Sequence, residues 1–249
     1  MSQKRITYEN IRIFFAAYDI DTYGLADLSG VASLTDSQGN SLSRAFSFAV
    51  PMNPKIMAGI KKGPNRRYAH EYTRVNRKID SVSEALASYL GNSGFFAKAI
   101  PASERTDLLN IRGDFPHKTA ATLAGLGWIG RNCQLITKKR GPWVRLGTVF
   151  TNFPGSHGGN AVGSSSGGTA VGSVFGKPVT KSFCGKCRKC VDACPAGALV
   201  GNSWRPGIPR EQLLDVWRCD LWKKENYFEY NHGHNCGICA AVCPFGQKD

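Results

Sequence analysis

The sequence contains no long hydrophobic run. Apolar residues make up 42% of its 249 residues, yet no stretch approaches the roughly 20 apolar residues with which a helix crosses a bilayer. Residues 1–19 also lack the basic region, apolar region and cleavage site of a secretory leader, and Arg5 has no arginine beside it. We therefore expect a soluble, cytoplasmic protein that uses no membrane partner.

Acidic residues are scarce. The chain has 18 Asp and Glu against 32 Lys and Arg, a net charge of +14. Half of that excess lies in residues 55–78, where Glu71 is the only acidic residue. The basic residues of this stretch are Lys55, Lys61, Lys62, Arg66, Arg67, Arg74, Arg77 and Lys78. Such a stretch is typical of a solvated surface, but also of a face for an acidic redox protein, a phosphate-bearing cofactor or nucleic acid.

The nine cysteines do not indicate disulfides, because the cytosol keeps thiols reduced. Four of them form the run C-x2-C-x2-C-x3-C-P, which is typical of bacterial ferredoxins. They are Cys184, Cys187, Cys190 and Cys194, followed by Pro195. The two-residue gaps let consecutive thiolates surround one small metal core, while the fourth Cys serves a second cluster.

A second cysteine set follows. Cys236, Cys239 and Cys243, with Pro244 after them, form C-x2-C-x3-C-P, which lacks the third Cys of the full run. Cys219, seventeen residues before Cys236, replaces it.

In two-cluster ferredoxins the last cysteine of each motif binds the cluster of the other motif, an arrangement called crossed ligation. This arrangement assigns every one of these eight cysteines to a [4Fe–4S] cluster. Cluster I takes Cys184, Cys187, Cys190 and Cys243, and cluster II takes Cys194, Cys219, Cys236 and Cys239. The alternative is a pair of zinc sites, but zinc sites usually show separated C-x2-C pairs. The spacing predicts two [4Fe–4S] clusters and therefore electron transfer.

Residues near these motifs have simpler interpretations. We expect Cys133 to be buried and inert. We expect His232 and His234 to be loop residues, since eight cysteines already complete both sites. Trp217 and Trp222 flank Cys219 and are expected to shield cluster II from water.

The rest of the chain predicts an α+β (or α/β) core over residues 1–153, a Gly/Ser-rich loop or linker over 154–178 and a ferredoxin-like domain over 179–249. Helices are expected at 8–17, 81–90 and 119–126, and strands at 45–50, 134–137 and 144–151. Too few βαβ units are visible for a Rossmann sheet.

One further segment, residues 113–132, carries Gly125, Gly127 and Gly130, which permit close backbone approach to a bulky ligand. As a G-x-G-x2-G motif it is weak, because it follows a helix and not a strand.

Residues 118–132, which include A-G-L-G-W-I-G-R-N, resemble the epoxyqueuosine reductase family and its relatives, the corrinoid reductive dehalogenases. Residues 141–151 and the order of the eight cysteines share that resemblance. It implies a nitroreductase-like core that holds a cobalamin, whose cobalt is reduced by electrons from the clusters. The expected corrinoid-binding residues are Gly125, Gly127, Trp128, Gly130, Arg131 and Arg145, although the two arginines could equally be surface cations.

The sequence departs from that family in two ways. Epoxyqueuosine reductases carry a C-terminal helical-repeat extension, whereas this sequence ends at Asp249 after the second cysteine set. Their acidic proton donor aligns with Ile111 when no gap is allowed, and the nearest acid is Asp114. We therefore expect a shorter branch of the group, with tRNA disfavoured as substrate.

Three functional hypotheses remain open. The first is a cobalamin- and iron–sulfur-dependent reductase of an unidentified substrate, for which a small molecule is one option, fed by a ferredoxin or flavodoxin, with a proton donor among Asp114, Tyr72, His117 and Lys118. The second is an electron-transfer or activating protein without its own corrinoid. The third is a tRNA-modifying epoxyqueuosine reductase.

Overall fold

The structure is a computed structural model that describes residues 6–31, 34–35, 38–39, 41–154 and 176–247. Its helices are α1 (Tyr8–Ala17), α2 (Pro54–Ala58), α3 (Arg66–Gly91), α4 (His117–Leu123), α5 (Lys189–Asp192), α6 (Val216–Tyr227) and α7 (Ile238–Ala241). Its strands are β1 (Tyr23–Asp27), β2 (Leu34–Thr35), β3 (Ser41–Leu42), β4 (Arg44–Pro51), β5 (Ala97–Ile100), β6 (Gly127–Ile129), β7 (Leu135–Thr137) and β8 (Val144–Thr151). Short 3-10 turns lie at Arg210–Gln212 and Pro244–Gly246. Among the described residues, no helix is both long and apolar enough to cross a bilayer.

The core is an antiparallel sheet in the order β1-β4-β8-β5. The register pairs Phe46 with Val149 and Arg44 with Thr151. The strands predicted at 45–50 and 144–151 are confirmed, and the antiparallel order agrees with the missing βαβ pattern. The chain is a mixed α and β fold.

The middle of β4 is buried on both faces. Phe46 and Phe48 point into the cluster formed with α1 and α3, and Ala45 and Ala49 face α4. Because alternate side chains of a strand point to opposite faces, the small residues leave room for α4 and the aromatic ones fill the wider layer. Size, and not polarity, alternates along β4.

Helix α3 runs far beyond the predicted 81–90. Asn65 caps its start by accepting a hydrogen bond from the Tyr68 N–H at 3.0 Å. Its larger buried apolar residues recur at spacings of three, four or seven residues, and they are Tyr68, Val75, Ile79, Val82, Leu86 and Leu90. The prediction stopped short because the first half of α3 is rich in arginine.

The other predicted elements shift by small amounts. Helix α1 has the expected bounds, with a capping box between Thr7 and Asn10. Helix α4 begins two residues before the predicted 119–126 and ends at Leu123, after which Gly125 takes a left-handed φ of +76°. Strand β7 confirms the strand predicted at 134–137 and pairs with β6. The predicted linker 154–178 lies, apart from its ends, outside the described residues.

The cysteine-bearing part packs directly on the sheet-bearing part. The Trp143 Nε1–H donates to the Ala240 carbonyl at 2.9 Å, and the Asn132 amide donates to the Cys239 carbonyl at 3.2 Å. Arg131 donates to the Gly185 carbonyl at 2.7 Å. These bonds fix the cysteine loops against β6, β7 and β8.

Candidate redox site

Two one-turn helices organise the cysteines. Helix α5 contains Cys190, and Cys194 follows its end, while α7 contains Cys239, and Cys243 follows its end. Helices α5 and α7 pack against each other. Each helix therefore carries one cysteine inside and sends the next one past its C-terminus, which suits ligands that serve two different centres.

The first cysteine group comprises Cys184, Cys187, Cys190 and Cys243. Burial, followed by repulsion from Cys243, Cys184 and Cys187, raises the pKa of Cys190 to about 11. Burial and the neighbouring Cys184 and Cys187 thiols likewise raise the pKa of Cys243 to about 11. Cys190 and Cys243 therefore each lie within electrostatic reach of Cys184 and Cys187.

The second cysteine group comprises Cys194, Cys219, Cys236 and Cys239. Burial raises the pKa of Cys239 well above its ordinary value, and repulsion from Cys236 and Cys219 adds to this effect. Burial raises the pKa of Cys219 as well, although the Lys223 ammonium opposes it. Cys190 of the first group also raises the pKa of Cys239, so the two groups adjoin each other, and the assignment of ligands to clusters stays a prediction.

Iron–sulfur clusters would give these groups partners that they need. Buried thiolates are costly unless a metal holds them, because burial disfavours the charged form. The buried Trp128 Nε1–H and the Asn235 Nδ2 amide group have no hydrogen-bond partner among the described residues. Trp128 packs in one cluster with Cys184 and Cys243, and Asn235 precedes Cys236. Cluster sulfides accept such N–H bonds, so the donor set fits the predicted group.

Within the described ranges, no three His, Cys, Asp or Glu side chains are placed to hold a single metal ion. A [4Fe–4S] core is larger than one ion, so its four thiolates stand further apart than zinc ligands do.

A cavity of about 370 Å³, the main cavity, lies between the two parts of the chain. All four cysteines of the second group line one side of it. Tyr72, Ser103 and Arg145 line it from the sheet-bearing part. A group bound in the main cavity would therefore touch the second cysteine group directly.

Tyr72 and Arg145 form a pair in this wall. The Arg145 guanidinium carbon lies 4.2 Å from the centre of the Tyr72 ring, and its Nε donates to the Asn76 amide oxygen at 2.9 Å. The Tyr72 hydroxyl lies 3.2 Å from the Ser103 hydroxyl. Burial by itself raises the pKa of Tyr72, but the Arg145 charge and the hydrogen bonds from Ser103 and Asn76 outweigh it and lower that pKa. Of the predicted proton donors, Tyr72 lines the cavity that contains the second group.

A second cavity of about 240 Å³, the side cavity, shares Glu104, Gly113, Gln134, Val144 and Arg145 with the main one. The three other predicted donors line it, and they are Asp114, His117 and Lys118. Asp114 is exposed. All four predicted proton donors therefore line one cleft, which the main and side cavities form together, although only Tyr72 borders the main cavity.

His117 is held as a neutral ring. Its Nε2 lies 3.1 Å from the Pro101 carbonyl, which only accepts, so that nitrogen carries the proton and Nδ1 accepts from Thr148 at 2.8 Å. Burial, helped by the Arg145 charge, lowers the pKa of His117 to about 4. Both nitrogens are engaged, so we assign His117 to positioning α4 against β8 and not to proton donation.

The Lys118 ammonium also makes its contacts within the chain. Its Nζ donates to the Cys133 carbonyl at 2.6 Å and lies 3.4 Å from the Cys133 Sγ. Cys133 is 4% exposed and has a left-handed φ of +55°, so the predicted burial of this cysteine is confirmed.

The three glycines predicted to line a cofactor pack instead against the chain itself. A Cβ at Gly125 would meet the Lys177 backbone, one at Gly127 the Ile136 carbonyl, and one at Gly130 the Ile136 side chain. None of the three lines the main or side cavity. Their size is required by the β6–β7 hairpin and its neighbours.

Two other predicted cofactor ligands also make internal contacts. Trp128 packs edge-on against Phe183 and Phe245, with centroids 5.2 and 5.0 Å away. Arg131 donates to the carbonyls of Gly185 and Gly201 and so supports the loop of the first cysteine group. Both residues contact the cysteine loops, Arg145 lines the cleft, and the predicted contact of all three with a cofactor stays a prediction.

The expectations for the tryptophans and histidines near the second cysteine group have different outcomes. Trp217 is 56% exposed, so its predicted shielding role is wrong. Trp222 lines the main cavity beside Cys219 and Cys236. His232 and His234 are exposed, as expected of loop residues, although His234 reaches the main cavity.

Sequence reasoning missed the loop after β5. Ser103, Glu104 and Arg105 line the main cavity, and Arg105 bonds the buried Asp220 carboxylate at 2.6 Å. The signal that could have found them is the polar run that follows Pro101 at the end of a strand. Loops at the ends of core strands commonly carry binding residues.

The comparisons with known proteins bear on this geometry. The family described as "4Fe-4S double cluster binding domain" matches residues 183–246. An epoxyqueuosine reductase of Listeria monocytogenes is 27% identical over 206 residues, which cover 82% of this chain and 48% of that protein. The resemblance predicted from the sequence is confirmed. This chain spans about half the length of the curated relatives that it matches.

Solved structures show the same fold. A reductive dehalogenase whose structure suggested a mechanism for B12-dependent dehalogenation has a TM-score of 0.69 at 18% identity, covering 97% of this chain and 32% of that one. An epoxyqueuosine reductase crystallised with an epoxyqueuosine-modified tRNA stem loop has a TM-score of 0.53 at 19% identity, covering 96% and 66%. The chain is thus similar in sequence to epoxyqueuosine reductases and shares the fold of these two structures, and its residues 183–246 match a domain that binds two [4Fe–4S] clusters.

Proposed function

We propose that this chain is an iron–sulfur reductase. The first and second cysteine groups hold one [4Fe–4S] cluster each, and electrons leave through the second group into the main cavity. The observation that carries the proposal is the lining of that cavity, because four cysteines form one side and the Tyr72–Arg145 pair forms another. Redox centre and proton source thereby border the same space.

We further propose that the group bound in the cleft is a corrinoid, in a nitroreductase-like core. The main and side cavities join along shared residues and open to solvent, which suits a ligand larger than either cavity alone. Tyr72, Gln134 and Arg145 would hold it, while the predicted glycines would not. When bound, the corrinoid supplies a low-potential metal centre for reduction of a substrate.

The residues of the cleft then have distinct tasks. The Tyr72 hydroxyl holds the proton for the reduced substrate, and the Arg145 charge lowers its pKa. Ser103, 3.2 Å away, orients that hydroxyl. The Trp222 and Ile238 side chains exclude water from the second cysteine group.

Metal analysis tests the proposal. Protein purified without oxygen from cells supplied with iron and hydroxocobalamin should contain about eight irons and about one cobalt per chain. Arg145→Met should lower cobalt occupancy while leaving the iron unchanged. About eight irons without cobalt in the wild-type protein would contradict the corrinoid part alone.

A second candidate function is an electron-transfer or activating protein without its own corrinoid. The observation that favours it is the internal packing of Gly125, Gly127, Gly130 and Trp128, which removes most of the predicted corrinoid contacts. In that case the iron-loaded chain would reduce the cofactor of another protein, and no cobalt would copurify with it.

A further inference from the structure

The loop that carries the first cysteine group has a strongly basic surface. Residues 177–192, here called the lysine face, hold five basic residues and one acidic residue, and all five cations are exposed. The cations are Lys177, Lys181, Lys186, Arg188 and Lys189. The acid, Asp192, lies 3.9 Å from Arg188, and both side chains are more than half exposed. Such a pair contributes little, so the face keeps its positive charge.

An exposed aromatic ring lies in the lysine face. Phe183 is 52% exposed and directly precedes Cys184. The Lys181 ammonium lies 5.5 Å from its ring centre, and the ring also packs against buried Trp128. An apolar contact point among exposed charges is typical of a protein interface with a small core and a polar rim.

The surroundings of the second cysteine group differ. Residues 205–229, which include Cys219, carry five basic and five acidic residues. The second group borders the main cavity, whereas Cys184 and Cys187 of the first group lie partly exposed within the lysine face. The excess of positive charge therefore lies beside the first cysteine group, on the side that faces a partner protein. The surroundings of the second group, which faces the cleft, have no such excess.

We propose that the lysine face is the docking surface for an acidic one-electron ferredoxin, an inference that rests on the proposed function. In each encounter the reduced ferredoxin loses one electron and is oxidised, and the site of Cys184, Cys187, Cys190 and Cys243 accepts that electron and is reduced. No bond forms or breaks, and no proton moves. Lysines of the face attract the acidic partner, and Phe183 forms the apolar contact.

Electrostatic attraction of this kind acts mainly on the association rate. Complementary charge speeds the encounter of two proteins, and salt removes the effect within a Debye length of about 8 Å at physiological ionic strength. Reduction of this protein by ferredoxin should therefore slow steeply as the salt concentration rises. Reduction of this protein by a small chemical reductant should not depend on the lysine side chains.

The test measures the second-order rate of cluster bleaching when iron-loaded protein is mixed without oxygen with a prereduced acidic ferredoxin. Lys186→Glu/Lys189→Glu should slow this reaction about tenfold or more at low ionic strength and much less at high salt. The matched control, Lys98→Glu/Lys138→Glu, makes the same charge change at exposed positions of β5 and just after β7 and should stay within about twofold of wild type. Phe183→Ala should weaken ferredoxin binding, measured by calorimetry, without changing the salt dependence.

Each outcome decides the assignment. Equal ferredoxin rates in the wild type and Lys186→Glu/Lys189→Glu, at full iron content and equal dithionite rates, would overturn the docking surface alone. An equal loss in the control variant would overturn it too, because net charge would then explain the effect. Loss of tRNA stem-loop retention with an unchanged ferredoxin rate would assign the face to nucleic acid instead. Wild-type protein unable to take up iron would contradict the proposed function itself.

Discussion

Tyr72 shows how a residue gains its chemistry from a distant partner. Its ring lies 4.2 Å from the Arg145 guanidinium because α3 packs on β8, and its hydroxyl meets Ser103 of the loop after β5. Three separate segments thus lower the pKa of one phenol against the effect of burial. The sequence could nominate Tyr72 only as one of several donors.

Replacement of Arg145 tests that cause. In Arg145→Met the cation is lost and burial remains, so we expect the pKa of Tyr72 to rise. The measurement is the tyrosinate absorbance as a function of pH, taken as the difference between each protein and the same protein with Tyr72→Phe. Arg77→Met, an exposed change on α3, should leave the Tyr72 titration unmoved, and an unmoved titration in Arg145→Met would contradict the pairing.

His117 predicts a pH dependence of stability. Its pKa falls from about 6.5 in the unfolded chain to about 4 in the folded protein, so only the unfolded chain takes up a proton between these values. The contribution of the neutral, buried His117 ring to the free energy of unfolding is fully present above pH 6.5 and is lost as the pH falls toward 4. Between pH 7.5 and 5.5 the loss should be about 1 kcal/mol of unfolding free energy.

His117→Gln should remove that part of the pH dependence. Urea unfolding at pH 7.5 and 5.5 gives the comparison, and His70→Gln, at an exposed position of α3, serves as the control. An identical slope in His117→Gln and the wild type would show that His117 is not the group responsible.

At the residue scale, the sequence predicted those features that follow from the spacing of residues along the chain. The cysteine motifs depend on short gaps along the chain, and four of the cysteines line the main cavity, while the assignment of ligands to clusters stays a prediction. The roles of Gly125, Gly127 and Gly130 could not be predicted in this way, because a glycine is equally suited to contact a ligand or another backbone.

Among the elements, β8 was predicted to its ends and α3 was not. Strand β8 is an eight-residue stretch rich in valine, threonine and other strand-forming residues, whereas the first half of α3 combines many arginines with buried Tyr68 and Val75. Half-polar helices receive their stability from packing of one face, which local composition does not reveal. The small residues of β4 likewise show their purpose only when α4 lies over them.

The cap of α3 gives an element-scale prediction. Asn65→Ala removes the acceptor for the Tyr68 N–H and should lower the free energy of unfolding by about 1 kcal/mol. Asn92→Ala, at the exposed opposite end of the helix, is the control, and both are measured by urea denaturation at unchanged iron content. A stability equal to wild type in Asn65→Ala would argue against the cap.

For the whole molecule, Asp220 joins the cysteine-bearing part to the sheet-bearing part. It is 3% exposed and bonds Arg105, Lys223 and Lys224, at 2.6, 3.4 and 2.9 Å. Although burial opposes it, these cations hold the pKa of Asp220 far below its ordinary value. No sequence pattern predicts this contact, because Arg105 and Asp220 lie far apart along the chain.

Asp220→Asn leaves three cations without their carboxylate. The change should lower the free energy of unfolding by about 3 kcal/mol, as when one partner of a buried pair is removed. Glu229→Gln, an exposed neutralisation next to α6, should cost little. Equal stabilities of the two variants would contradict a linking role for Asp220.

The central claim is that eight cysteines hold two [4Fe–4S] clusters, of which the second borders the main cavity. Iron, zinc and acid-labile sulfide per chain in oxygen-free protein test it most directly, with Cys133→Ala as the control for the ninth cysteine. The account predicts about eight irons and about eight sulfides in both proteins, with almost no zinc. About two zinc ions, or only about four irons, in fully folded wild-type protein would contradict it.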